Sequence, residues 1–296
     1  MPMKKYNKGK KGMEIFLDCL PCMLRQVIDA SRMATESTKL HEKIVEEAIN
    51  LLGNYKKYRN SPEVGREMHW LVKNFTGVMD PYKETKKKDI QTALKLYPYL
   101  KQFVNEKNDR IYWALKTAAV GNVIDTAINA GLDIEGCVKA ELDKRFAVCD
   151  LVRFKHRLEK AKSLLVIGDN AGETVFDRVF LEELQNIDIT YAVRSAPIIN
   201  DAVVEDAYAS GLDRCARVVS AGCDVPGVVL DRCSQAFMDV FHTADIVVSK
   251  GQGNYETLSD CGRDVYFLLK AKCTVLSGVL DVGLNEYVFK YKGKMQ

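Results

Sequence analysis

Five short runs rich in β-branched residues punctuate the second half of the chain: Ser163–Ile167, Ile187–Val193, Ala216–Ser220, Asp245–Ser249 and Asp264–Leu269. Each is apolar on both sides, which suits a strand buried on both faces. A parallel sheet covered by crossover helices meets that need. Helical segments separate the runs as the crossovers require: Glu173–Gln185, Asp201–Ser210, Val228–Thr243 and a short one from Asn254. The spacing therefore predicts an α/β unit with a mostly parallel, doubly wound sheet from about residue 161 to 296.

The first half has a different period. Leu20, Met23, Leu24, Val27 and Ile28 share one side of a helix over Cys19–Ala34, and Leu40 to Leu52 repeats the pattern after Ser37 and Thr38. Ser61-Pro62 opens a helix, with proline in its first turn. Asp80-Pro81 opens another, which Pro98 is expected to interrupt. A helix from Asp109 to Ala130, closed by Gly131, and a long charged one from Glu135 to about Ala161 complete a helical region over residues 13–160. Residues 1–12 read as a flexible basic tail, with Met13 an alternative start.

That tail holds five lysines and no acid. The chain carries a net charge of only +3, so the rest is near neutral, which argues against a nucleic-acid-binding face. No apolar run is long enough to cross a bilayer, and no apolar segment follows the basic start as in a secretory signal. Nine cysteines, an odd count in a long chain, read as reduced thiols of a cytoplasmic protein.

In an open parallel sheet, ligands bind beyond the carboxyl ends of the strands. The first tip is Gly168-Asp169-Asn170-Ala171-Gly172-Glu173. The second carries Arg194 and, further on, Ile199-Asn200-Asp201. The fourth is Ser249-Lys250-Gly251-Gln252-Gly253-Asn254-Tyr255. Two carboxylates and an amide oxygen suit a hard divalent cation. A lysine and helix N-termini suit a phosphate. Taken singly, an aspartate here can be a helix cap, an asparagine a turn residue and a lysine a surface charge. Placed together at three strand tips, they point to an anion- and metal-binding enzyme doing phosphoryl chemistry.

Other motifs are weaker. The first tip has Asn170 where a dinucleotide loop needs glycine, although it could still hold an adenosyl cofactor. Cys19-Leu-Pro-Cys22 lacks the second pair a structural zinc site wants and opens a helix rather than following a strand. None of the four histidines lies at a strand tip. Asn122 and Asp125, three apart, share one helix face and could wall a pocket.

Asp169-Asn170-Ala171-Gly172-Glu173, Ile199-Asn200-Asp201 and Lys250-Gly251-Gln252-Gly253-Asn254-Tyr255 together resemble the damage-control phosphatases, also known as domain-of-unknown-function 89. Cys19-Leu-Pro-Cys22 and Gly121-Asn122-Val123-Ile124-Asp125 resemble the shorter, prokaryotic-type branch. The resemblance runs from about Met13 to the C-terminus. It implies a helical N-terminal region on a Rossmann-like three-layer α/β/α domain. It also implies a divalent ion (Mn²⁺, Mg²⁺, Co²⁺ or Ni²⁺) on Asp169, Asn170 and Asp201, with Lys250 holding the phosphate. Glu173, Arg194, Asn122, Gly253 and Asn254 would be pocket residues. The substrates implied are small phosphorylated metabolites, such as damaged or side-product sugar phosphates or cofactor precursors. An S-adenosylmethionine-dependent carboxyl methyltransferase and a non-catalytic metal-binding protein are the alternatives.

Overall fold

The computed structural model describes residues 13–122 and 133–293. The basic tail, the end of the helix expected to reach Ala130, and Asp125 lie outside them.

Three helices open the chain: α1 (Cys19–Ala34), α2 (Thr38–Gly53) and α3 (Ser61–Thr76). Met23, Val27 and Ala30 of α1 meet Ile44 and Ala48 of α2 and Val64, Met68 and Val72 of α3 in one apolar cluster. Their 3–4 spacing gives each helix a single inward stripe. Asn60 caps α3 by accepting the Glu63 N–H at 3.1 Å, and Pro62 occupies the first turn.

α4 (Lys83–Asn105) runs unbroken through Pro98, against expectation. Pro98 lies on the solvent side, and the carbonyl it cannot serve belongs to Leu94, which is also exposed. Water can take that bond, so the helix tolerates the proline. α5 (Arg110–Val120) and α6 (Ile134–Leu142) follow.

The long helix expected from Glu135 is instead α6, a strand β1 (Phe146–Cys149) and α7 (Leu151–Leu158). β1 exists because a seventh strand, which the periodicity did not reveal, pairs with it. That strand is β7 (Tyr287–Lys292), and Phe146 packs edge-on against its Tyr287.

The five anticipated strands form as β2 (Ser163–Ile167), β3 (Asp188–Val193), β4 (Arg217–Ser220), β5 (Ile246–Lys250) and β6 (Val265–Lys270). Their crossovers are α8 (Glu173–Leu181), α9 (Val204–Ala209), α10 (Gln235–Thr243) and α11 (Gln252–Leu258), with α12 (Thr274–Leu280) after β6. α10 starts seven residues later than expected, after a loop and a short turn at Leu230–Arg232. The sheet order is β1-β7-β6-β5-β2-β3-β4, parallel throughout except where β7 meets β6.

Alternation along β2 divides the core. Leu164 and Val166 face a cluster with α4, α5, α7 and α8, whereas Leu165 and Ile167 face one with α10, α11 and α12. The result is a three-layer α/β/α body. The chain leaves β2 for β3 on one side and returns to β5 on the other, so β2 and β5 flank a topological switch point. No described helix is long and apolar enough to cross a membrane.

His69 of α3 is buried beside Tyr82 and Lys73. Burial, then the Lys73 charge, lowers its pKa to about 4. Its neutral form is the folded form, so this contribution to stability is present above pH 6.5 and is lost as pH falls toward 4, by about 3 kcal/mol in all. His69→Phe, which retains a ring without a titrating group, is expected to lose less stability than the wild type between pH 7 and 4.5 in urea unfolding. Equal losses in the two proteins would contradict this assignment.

Candidate metal centre

The site forms where the tips of β2, β3 and β5 meet. Beyond β2 the chain turns through Gly168-Asp169-Asn170. The segment 198–203 folds back on it: the Ala202 N–H donates to the Asp169 carbonyl and the Ala171 N–H to the Asn200 carbonyl, both at 2.8 Å. Asn170 and Asp201 thereby pair as a short antiparallel bridge, which puts their side chains at one place.

The helical region fixes this segment from above. Lys73 of α3 donates to the Pro197 carbonyl. Ile199 packs against the α1–α3 cluster and has φ +46°. A β-branched residue at positive φ is strained, and such strain persists only where its surroundings over-determine it. On the far side, Lys86 pairs with Asp206 at 2.9 Å, and Asp206 accepts the Val203 N–H at 3.0 Å.

Arg194, buried at the tip of β3, orients the acids. Its Nε donates to Asp201 Oδ2 at 2.7 Å, and its Nη2 lies 3.8 Å from Asp169 Oδ1. It stands behind the carboxylates, not in the cavity wall. Burial, then the Asp201 and Glu173 charges, pushes the Asp169 carboxyl well above the usual range. Burial also raises Asp201, with Arg194 offsetting part. Two acids held together with one guanidinium between them lack positive charge, which a divalent cation would supply.

Asn170 completes the donor set. Its Nδ2 donates to Glu173 Oε1 at 3.2 Å. A carboxylate only accepts, so the amide nitrogen must face Glu173 and the amide oxygen must face away. Asp169, Asn170 and Asp201 all line one cavity of about 430 Å³. Among the described residues no three His, Cys, Asp or Glu side chains form a ligand cluster, so a cation here depends on the Asn170 amide. Two carboxylate groups and an amide oxygen fit a hard cation.

Lys250 differs from its expected role. Its Nζ bonds to the Ala118 carbonyl at 2.9 Å, Glu173 Oε2 at 2.7 Å and Asp177 Oδ1 at 2.5 Å. An ammonium has three N–H donors, and all three are used. Burial opposes its charge, but the two carboxylates outweigh that and hold it above lysine's ordinary value. Asp177, which also accepts the Tyr191 hydroxyl at 2.6 Å, is pushed up to about 6 by burial. The other oxygen of Glu173 accepts from Asn122 as well as Asn170. Lys250, Glu173 and Asn122 thus form a polar knot in the cavity wall.

The glycine-rich turn after β5 has packing reasons. Gly251 (φ +81°) passes so close to the Asp169 carboxylate that a Cβ would collide with it. Gly253 likewise abuts the Pro226 carbonyl. Asn254 is buried with its amide spent on backbone: Oδ1 accepts the Val228 N–H at 2.9 Å, and Nδ2 donates to Gly168 O at 3.0 Å and Lys250 O at 2.7 Å. It clamps the tips of β2 and β5 together rather than facing the cavity.

Two groups escaped the sequence reading. Lys272, exposed two residues past β6, lines the cavity, and its charge acts on Asp169. The strand-tip rule applied to β6 would have found it. Asp177 lies four residues after Glu173, one turn along the same helix, so helical spacing pointed to it.

Lys250→Met should leave Glu173 and Asp177 buried without their cation and destabilise the fold by about 3–5 kcal/mol in metal-free urea unfolding. A change within about 1 kcal/mol of wild type would refute the knot's structural role.

A model of the damage-control phosphatase ARMT1-like domain matches residues 15–288. A damage-control phosphatase of Pyrococcus horikoshii is 33% identical over 276 residues, covering 91% of this chain and 95% of that one. An uncharacterized protein of Methanocaldococcus jannaschii is 30% identical over 290 residues, 94% and 95% of the two chains. The crystal structure of a DUF89 family protein from P. horikoshii superposes with a TM-score of 0.87 at 33% identity, covering 94% of this chain and 98% of that one. With the matched fold and this length of alignment, the chain belongs to the damage-control phosphatase ARMT1-like family.

Proposed function

We propose that this protein is a divalent-metal-dependent phosphatase of small phosphorylated metabolites, working in the cytoplasm. The reading rests on one arrangement above all: Asp169, Asn170 and Asp201 at one end of a cavity that Lys272 also lines. The names of the relatives support the reaction class. The nine free thiols are in keeping with the compartment. Damaged or side-product sugar phosphates and cofactor precursors are the substrate class carried by the resemblance.

Asp169, Asn170 and Asp201 would hold the ion. Bound there, Mn²⁺, Mg²⁺, Co²⁺ or Ni²⁺ would supply Lewis acidity toward a phosphate oxygen and lower the pKa of water. The protein residues position. Arg194 fixes the Asp201 carboxylate, and Glu173 fixes the Asn170 amide. Glu173 has both oxygens engaged, so it acts as a support and not as the base. Lys272 offers the ammonium that Lys250 does not, and it is placed to meet the negative charge of the ester.

Chelated protein should release no phosphate from p-nitrophenyl phosphate, and added Mn²⁺ should restore release. Asp169→Ala should lower kcat by at least about 100-fold with folding intact. Turnover that persists after chelation would contradict the metal reading. Thermal stabilisation by S-adenosylmethionine in place of Mn²⁺ would favour the methyltransferase alternative, and metal binding without turnover the scaffold. Lys272→Met, at an exposed position, should raise KM roughly tenfold without lowering stability. An unchanged KM would remove Lys272 from phosphate binding.

A further inference from the structure

The cavity has a second polar region that the proposed reaction does not use. Glu256, one turn into α11 and only 6% exposed, faces it. Gln252 Nε2 donates to Glu256 Oε1 at 2.9 Å and lies 3.4 Å from Cys273 Sγ. Ser61 lines the same cavity, and the thiols of Cys19 and Cys22 stand nearby. Among the described residues, Glu256 makes no ion pair.

A buried carboxyl without a cation is an expensive choice for a structural position. Burial, only partly offset by Gln252 and Ser61, raises its pKa to about 7. Its surroundings are neutral hydrogen-bonding groups: an amide, a hydroxyl and thiols. Two sixteen-residue helices, α1 and α3, begin at Cys19 and Ser61, so their partial positive ends are turned toward this region. That environment disfavours an ammonium ligand. It favours a group that gives a hydrogen bond to the carboxyl and receives one from its neighbours, which an alcohol does.

We propose that Glu256, backed by Gln252, recognises a hydroxyl on the organic moiety of the phosphate ester and so sets substrate preference. The inference rests on the phosphatase reading and adds the part of the substrate that lies away from phosphorus. Glu256 selects a hydroxylated, sugar-like leaving group over a bare aromatic one.

The test compares Mn²⁺-loaded wild type with Glu256→Gln on a hexose phosphate and on p-nitrophenyl phosphate, which has no hydroxyl. The variant should lose roughly tenfold or more in kcat/KM on the hexose phosphate and stay within about twofold on p-nitrophenyl phosphate. Equal losses on both esters would mark a structural role and overturn the proposal. So would an unchanged hexose phosphate rate, or a wild type no faster on the hexose phosphate than on the aryl ester. A wild-type preference for an amino-sugar phosphate that vanishes in the variant would reassign Glu256 to ammonium binding and also overturn it. These outcomes leave the phosphatase reading standing. Failure of the wild type on both esters would end that reading and this one with it.

Discussion

The ammonium of Lys250 lies between Glu173, Asp177 and the Ala118 carbonyl, and through them it joins β5, α8 and α5 at one point. Tyr191 extends the cluster to β3, and Asn122 and Asn170 hang from Glu173. Every charge in this cluster is buried and paired. Removing a partner would strand the others in a low-dielectric interior, so the groups hold one another in a single geometry. The amide of Asn170 is aimed by this cluster, and Asn254 fixes the two strand tips beside it.

The second carboxylate is positioned by other means. Asp201 hangs on a segment pinned from both sides: Lys73 and the α1–α3 cluster above, Lys86 and Asp206 below. The strained backbone of Ile199 is tolerated because that packing leaves it no alternative. This gives the N-terminal helices a role beyond covering the sheet. They also supply Cys19, Cys22 and Ser61 to the cavity wall. The site is shared between the two halves of the chain, and neither half completes it alone.

Much of this was legible in the sequence, for physical reasons that differ by element. β2, β3, β5 and β6 are buried on both faces, so their composition alone marked them, and Ser163–Ile167 was placed to the residue. The strand-tip rule then brought Asp169, Asn170 and Asp201 forward as neighbours. The edge strand β1 and its neighbour β7 were hidden. β1 shows weak alternation in a charged stretch, and it forms only because β7, some 140 residues away, lies beside it. Pro98 was misjudged because its neighbourhood, not its chemistry, decides whether a helix survives it. Lys250 was assigned to phosphate because its loop looks like an anion site. Its three buried acceptors come from Glu173, Asp177 and Ala118, on elements about 70 to 130 residues earlier, and no local pattern announces such a knot.

The account stands on a cation held jointly by Asp169, Asn170 and Asp201. The most direct measurement is an anomalous-difference map from crystals of the protein grown with Mn²⁺, collected near the manganese absorption edge. The account predicts one strong peak bonded to oxygens of those three side chains, on the cavity side of Arg194. A peak held by other residues, or none at saturating Mn²⁺, would contradict it.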